Sequence, residues 1–118
     1  MDINRVRSTL TQIVRSIQAT YEDTESVQTH AICDETTDNY MIMVVGWEPI
    51  ANGRNRRVLG PNLYFRIYNG KVWVEQDLTD ITDQENIETM LLEVLAKDEI
   101  VLGTMPPEGR SFTEFAIA

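Results

Sequence analysis

The sequence predicts an α+β domain: a mainly antiparallel sheet of four to five strands, an amphipathic helix before it, and a second helix before a short last strand and a docked C-terminal tail. Two helical patterns flank a series of β-rich runs in the 118-residue chain, and short turn sequences separate those runs. Hairpin-linked strands flanked by helices are typical of this class. The length predicts one domain, residues 1–118, with a core that needs no disulfide or metal.

Apolar residues recur at helical spacing from the start of the chain. They are Ile3, Val6, Leu10, Ile13, Val14, Ile17 and Tyr21. Asp2 precedes them, where a carboxylate can cap the free N–H groups and interact favourably with the helix dipole. This pattern predicts an amphipathic helix whose apolar stripe covers a sheet.

Two strands are expected next. VQTHAIC, residues 27–33, is rich in strand-forming residues, and YMIMVVGW, residues 40–47, is apolar at successive positions. A strand that is apolar on both faces is usually interior to its sheet. We therefore expect residues 40–47 to form an interior strand, joined to the first by the polar turn DETTDN.

The segment NLYFRIYNGKVWVEQD, residues 62–77, predicts a hairpin around Asn69-Gly70, because both central residues of a type I′ turn need positive φ. The expected cross-strand pairs are Tyr68 with Lys71, Ile67 with Val72, Arg66 with Trp73, Phe65 with Val74, and Tyr64 with Glu75. The aliphatic face of this hairpin belongs to the core. The opposite face, rich in arginine and aromatic side chains, is exposed, shared with a partner or covered by the tail.

TDQENIETMLLEVLAKDE, residues 82–99, predicts the second helix. Thr82 and Glu85 have capping-box spacing, and the helix should end at Lys97-Asp98. Beyond it, residues 100–102 have the length of a last strand.

The tail, residues 103–118, should turn sharply at Gly103 and the pair Pro106-Pro107. We expect three apolar residues to dock on the domain: Phe112, Phe115 and Ile117. Arg110 is expected to hold this segment by pairing with Glu114 or with a backbone carbonyl.

The chain carries a net charge of −9, unevenly distributed. Residues 51–74 hold five cations and no acid, whereas residues 75–118 sum to −9. Affinity for a nucleic-acid duplex comes mainly from clustered Lys and Arg, so an autonomous DNA-binding protein is disfavoured. A basic protein partner suits the overall charge better. No apolar run is long enough to span a bilayer, and we expect a cytoplasmic protein without membrane contact.

Catalytic patterns are scarce. His30 is the one histidine and is expected as a partly buried structural residue in the first strand; Cys33 is the one cysteine and is expected as a packed thiol. Asp77, Asp80 and Asp83 are spaced by three, which does not match a calcium loop. The acids near Asp34 indicate a solvated turn. The sequence therefore predicts no enzyme activity and no catalytic, cofactor-binding or metal-ligating residue.

Recognition residues remain as candidates. Trp, Tyr and Arg dominate the energetic centres of protein interfaces. The basic segment GRNRRVLG, residues 53–60, predicts a solvated loop that can make a local contact. The full predicted partner surface is Arg54, Arg56, Arg57, Tyr64, Arg66, Trp73, Met105 and Arg110.

Four segments together resemble the XisI-like family of fdxN element excision controlling factors from cyanobacteria. They are YMIMVVGW, RRVLG, NGKVWVEQD and, most specifically, IVLGTMPPEGRSFTEFAIA. With the first helix they cover nearly the whole chain. Two departures stand out: Thr104-Met105 replaces an aromatic-histidine pair, and residues 78–83 form a longer, more acidic insertion. Any role of that histidine therefore does not carry over to this chain.

The resemblance implies an α+β domain with no established catalytic residues, paired with XisH, a relative of nuclease-fold proteins. We therefore expect a non-enzymatic accessory protein that controls excision through a XisH-like partner, including an antitoxin-like role. The first alternative is direct DNA binding through Arg54, Arg56 and Arg57 with Arg66 and Lys71. Another is an unrecognised enzyme or small-molecule binder using the acids around Asp77. A homodimer through the aromatic hairpin face is a further expectation.

Overall fold

The computed structural model describes residues 1–79 and 87–118. Its elements are helix α1 (Ile3–Gln18), strands β1 (Val27–Asp34), β2 (Asn39–Pro49), β3 (Asn55–Tyr68) and β4 (Lys71–Asp77), helix α2 (Ile87–Leu92) and strand β5 (Ile100–Leu102). Within the described residues the strands form a five-stranded sheet in chain order. The pairings from β1 to β4 are antiparallel and β4 pairs with β5 in parallel. The predicted α+β class is confirmed.

Helix α1 begins where the sequence predicts. The Asp2 carboxylate accepts a hydrogen bond from the backbone N–H of Arg5 at 3.2 Å. The apolar stripe turns toward the sheet, and four of its members are buried: Val6, Leu10, Ile13 and Val14. Tyr21 lies beyond the helix but still packs against the core. Burial of this stripe, rather than helix propensity alone, stabilises the helix against β1 and β2.

Strand β2 lies between β1 and β3, as its apolar sequence predicts. Within it Gly46 pairs with Val27 of β1, and its neighbour Trp47 donates its backbone N–H to the Ser26 carbonyl at 2.8 Å. A Cβ added at Gly46 would lie 2.0 Å from that carbonyl oxygen. Only glycine therefore fits between β2 and the start of β1.

The β3–β4 hairpin turns at Asn69 and Gly70, with φ of 51° and 70°. Four of its predicted pairs are confirmed: Tyr68–Lys71, Ile67–Val72, Arg66–Trp73 and Phe65–Val74. The fifth prediction is wrong because the register shifts between Tyr64 and Phe65, and Tyr64 pairs with Gln76 instead of Glu75. An extra residue in one strand is a β-bulge, which redirects the side chains beside it.

Helix α2 is shorter at its C-terminal end than predicted. It ends at Leu92, followed by a turn and a 3₁₀ segment, Lys97–Glu99, so the expected end at Lys97-Asp98 is wrong. Ile87, Leu91 and Leu95 still reach the core. The predicted capping pair, Thr82 and Glu85, lies outside the described residues.

The tail joins the sheet only in part. Strand β5 forms as expected, and the Ala116 N–H donates to the Ile100 carbonyl at 2.8 Å. Phe115 docks in the core with 8% of its surface exposed. The expected docking of Phe112 and Ile117 is wrong, since they are 90% and 61% exposed. A 3₁₀ segment, Pro107–Phe112, directs the Phe112 side chain outward.

One apolar core lies between the two helices and one face of the sheet. Its sheet side chains are Tyr40, Ile42, Leu63, Phe65, Val72 and Val74. Since side chains alternate across a strand, the residues between them point to the other side, which we call the open face. In the described part of the chain, neither helix has the length and apolar character needed to cross a membrane.

Candidate protein-interaction surface

The hairpin end of the open face contains most of the predicted partner residues. The Arg66 guanidinium carbon lies 5.1 Å from the centroid of Trp73 and 4.7 Å from that of Tyr68. Arg66 Nε donates to the Glu75 carboxylate at 2.7 Å. Glu75 is the residue that the bulge leaves without a cross-strand pair, which accounts for an arginine bound at once by an acid and two aromatic rings.

The C-terminal tail completes this cluster. Arg110 places its guanidinium carbon 5.1 Å from the Trp73 centroid, and its Nε donates to the Met105 carbonyl at 3.1 Å. The expected backbone partner is confirmed. The alternative partner, Glu114, instead accepts from Lys97 at 2.8 Å. Tyr64, Arg66, Trp73, Met105 and Arg110 are thus brought to one end of the fold.

The three other arginines lie at the opposite end of β3. Arg57 stands over the Trp47 ring, 5.3 Å from its centroid, and donates to the Gly46 carbonyl at 3.2 Å. Arg56 points to the helix side of the sheet and pairs with Glu48. Arg56 and Arg57 belong to β3, so the loop prediction is wrong for both, whereas Arg54 stands exposed just before the strand.

The predicted surface therefore divides into two separate clusters. Arg57 and Arg66 are nine positions apart on β3, which corresponds to roughly 30 Å at the usual rise of a strand. A contact on only one cluster does not need the other. Spacing along the sequence concealed this distance, because the length of β3 was not predicted.

Sequence reasoning missed the aliphatic residues between the two clusters. Strand pairing places Ile32, Met41, Met43, Val45 and Leu59 on the open face. Ile32 is 42% exposed and Leu59 is 63% exposed. The signal was present in β2, where both alternating sets are apolar although the helices cover only one.

The side chains considered for catalysis or metal binding are either exposed or held by contacts within the fold. His30 is exposed on β1, so the prediction of a partly buried histidine is wrong. Cys33 packs against the core as expected, and burial raises the pKa of its thiol. The Asp77 carboxylate accepts a hydrogen bond from the Thr79 hydroxyl at 2.6 Å. Asp80 and Asp83 lie outside the described residues. Across residues 1–79 and 87–118, no group of three His, Cys, Asp or Glu side chains could hold a metal ion.

The β1–β2 turn is more than a solvated connection. The Asp38 carboxylate accepts hydrogen bonds from Arg7 Nε and Nη2 at 2.9 and 3.1 Å and from the Tyr40 hydroxyl at 3.0 Å. The Arg7 bonds are the main reason that the pKa of Asp38 lies below its ordinary value. Asp34 fits the prediction, since it accepts hydrogen bonds from Thr36 and Thr37 within the turn.

A cleft of about 640 Å³ lies beside the segment that follows α1. Two of its three carboxylates are engaged. Asp23 accepts from the Thr29 N–H and hydroxyl at 3.0 and 2.9 Å, and Glu48 pairs with Arg56. These contacts give Asp23 and Glu48 structural partners and offer no support to the small-molecule or enzyme alternative.

Comparison with known proteins identifies the family. The family model described as XisI protein matches residues 1–117. The chain belongs to the XisI family. No curated protein matches it.

Solved structures include two similar proteins, both from Anabaena variabilis. The fdxN element excision controlling factor XisI is 31% identical, with all of both chains covered and a TM-score of 0.79. A XisI-like protein is 23% identical, with 99% of this chain and 100% of the other covered and a TM-score of 0.82; this second likeness concerns the fold alone.

Membership gives physical meaning to the segments that carry the resemblance. The Val-Gly-Trp motif contains Gly46, where the nearby Ser26 carbonyl oxygen leaves no room for a side chain. The Asn-Gly-Lys motif contains the β3–β4 turn. The proline-rich ending presents Arg110 to Trp73. Each of these motifs therefore has a structural explanation that is independent of any catalytic role.

Proposed function

We propose that this chain is a non-enzymatic controlling factor for excision of a DNA element and that it acts in the cytoplasm through a XisH-like, nuclease-fold protein. The observation that carries the proposal is the match to the XisI family over residues 1–117. A 31% identical relative with the same fold is named as the controlling factor of fdxN element excision. The wide separation of the two arginine clusters and their intramolecular contacts also suit a binding protein better than an active site.

The acidic charge supports a protein partner over DNA. The exposed acids Glu88, Glu93 and Asp98 lie on α2 or shortly after it, on the helix side of the domain. An acidic surface can cover a basic nucleic-acid-binding surface, because opposite potentials accelerate association and favour the matched partner. Such masking would restrain a nuclease-like partner in the manner of an antitoxin.

Excision in cells tests this proposal. In a cyanobacterial strain that carries an excisable element and this gene, quantitative PCR across the excised junction measures excision frequency. We expect deletion of the gene to change that frequency and the wild-type gene to restore it. A variant with Glu88→Lys and Glu93→Lys should fail to restore it, whereas Glu22→Lys with Glu25→Lys is the matched control. An unchanged junction frequency after deletion would overturn the proposal.

Direct DNA binding is the second candidate. Arg57, Arg66 and Lys71 share the open face with two exposed aromatic residues, Trp47 and Tyr68. Arg66 is paired with Glu75, however, and Arg56 faces the other side of the sheet in a pair with Glu48. These pairs reduce the charge that is available to phosphates.

A gel shift separates the two candidates. With purified protein and a duplex from the element border, DNA binding would weaken steeply as salt rises and would be lost in Arg57→Glu. We expect no shift at 100 mM salt.

A further inference from the structure

The C-terminal tail covers one part of the open face and leaves the other part uncovered. Over β4 and β5, Arg110 lies on Trp73, and Trp73 and Val101 are 9% and 0% exposed. Over β1 to β3 lies an aliphatic patch of five residues, none of which belongs to the core that the helices cover. Ile32 and Leu59 are exposed, and Met41, Met43 and Val45 are half-buried. Helices α1 and α2 pack on the opposite face.

The charge around this patch has the opposite sign to that of the whole protein. Strand pairing and the Trp73 contact place four cations on the open face: Arg57, Arg66, Lys71 and Arg110. Among the carboxylates on that face, Glu75 neutralises Arg66, whereas Asp34 keeps its charge while it accepts hydrogen bonds from the neutral hydroxyls of Thr36 and Thr37. The four cations still outnumber these two carboxylates. A protein of net charge −9 thus presents an aliphatic surface bordered by cations.

We propose that the aliphatic patch and its cationic border bind an acidic, leucine-rich segment of a partner protein. Apolar partner side chains would cover Met43 and Leu59, and partner carboxylates would reach Arg57 at one end and Lys71 at the other. An uncovered sheet face of this kind commonly marks an interaction site. The proposal concerns a second surface, separate from the acidic helix side, and it does not require a role in excision.

Charge complementarity selects this occupant over a second copy. The four cations with Glu75 and Asp34 give each open face a net charge of +2, so two such faces packed together would repel each other. The aromatic rings of Trp47, Tyr64 and Tyr68 lie toward the two ends of the open face, and Val45 with Leu59 lies between them. Single-stranded nucleic acids bind by stacking successive bases on aromatic rings, which this spacing does not offer. A polypeptide with apolar and acidic side chains can cover the aliphatic patch and pair with the cations at its border.

Fluorescence anisotropy of labelled peptides tests the proposal on the full chain. The probe is a dodecapeptide with leucines in its middle and glutamates at both ends, about 40 Å long when extended and so able to reach from Arg57 to Lys71. The control peptides replace Glu with Lys or Leu with Ser. We expect the Glu-Leu peptide to bind at 50 mM salt and both control peptides to bind at least tenfold more weakly. Leu59→Glu and Arg57→Glu should each weaken binding by about tenfold or more, equivalent to 1.4 kcal/mol. Arg56→Glu, on the other face of the same strand, should change it less than twofold.

Each contrary outcome identifies a different surface role. Absence of Glu-Leu binding, or equal loss in Arg56→Glu and Arg57→Glu, overturns the proposal. Tighter binding of a twenty-residue oligothymidylate that is lost in Arg57→Glu would assign the face to nucleic acid. A dimer in analytical ultracentrifugation that Leu59→Glu dissociates would assign it to a second copy. Circular dichroism of each variant must match that of the wild type, and Leu59→Ser provides a smaller change should Leu59→Glu unfold the chain.

Discussion

Arg110 of the C-terminal tail lies over Trp73 of β4, with 5.1 Å between its guanidinium carbon and the ring centroid. Arg66 stands at the same distance from that ring. The C-terminal tail, whose sequence is the most specific to the family, is therefore in contact with the β3–β4 hairpin. The relationship makes the tail part of the sheet surface, where it determines how much of the open face remains accessible.

Removal of this contact should loosen the tail. We expect Arg110→Ala to lower the free energy of unfolding by about 1 kcal/mol, the usual size of a partly desolvated cation–π contact. In a Trp47→Phe background Trp73 is the one remaining tryptophan, so its emission should shift to longer wavelength as water reaches the ring. Arg110→Lys should have a smaller effect, and an emission maximum unchanged in Arg110→Ala would contradict the contact.

Two glycines with the same φ of 155° should respond differently to alanine. At Gly46 the new Cβ would meet the Ser26 carbonyl oxygen at 2.0 Å, whereas at Gly60 nothing lies within 4 Å. Both substitutions carry a backbone cost, but Gly46→Ala should destabilise the fold by about 2 kcal/mol more than Gly60→Ala. Urea denaturation measures both, and equal midpoints would show that the close approach of β1 and β2 is incorrect.

Stability should depend on the charge of Asp38. Its hydrogen bonds with Arg7 lower its pKa in the folded state, so its contribution is present above the unfolded pKa near 4 and is lost as the pH falls through the lower folded value. Asp38→Asn tolerates the positive φ of 55° at this position. We expect this variant to melt at a lower temperature than wild type at pH 7 and the difference to shrink toward pH 3. A difference independent of pH would contradict the ion pair.

The two phenylalanines of the tail should differ in their effect on stability. Phe115 is buried in the core, and Phe115→Ala should cost about 3 kcal/mol through the lost contacts and the cavity. Phe112 is 90% exposed, and Phe112→Ala should change the free energy of unfolding by less than about 0.5 kcal/mol. Thermal melts distinguish the two, and a large effect of Phe112→Ala would indicate that it docks after all.

Local features of the sequence predicted the fold well. Asn69-Gly70 predicted the β3–β4 hairpin correctly because the conformation of the turn depends on these two residues. Asp2 predicted the start of α1 correctly because the cap is a contact between residues three apart in the sequence. The bulge between Tyr64 and Phe65 was not predictable, because the Asn69-Gly70 turn sets the register from the turn outward and does not indicate where an extra residue interrupts it. The end of α2 also depends on tertiary packing, because the apolar periodicity continues through Leu95 after the helix has ended.

The candidate site was predicted only in part. The hairpin register correctly placed Arg66 opposite Trp73, but nothing in the sequence placed Arg110 on the same ring. The sequence could not indicate which of Arg56 and Arg57 points to the open face, because that depends on the pairing of β3 with β2 and on its bulge between Ile42 and Met43. The exposed aliphatic patch was also missed, because the apolar residues on both faces of β2 were explained by its interior position in the sheet alone.

The affinity of the purified chain for a XisH-like protein from the same genome is the most direct test of the proposed function. Isothermal titration calorimetry at 50 and 300 mM salt measures this affinity, and a separate titration with an element-border duplex measures the affinity for DNA. We expect a one-to-one protein complex that weakens at high salt and no binding of the duplex. Duplex binding without any protein complex would contradict the account.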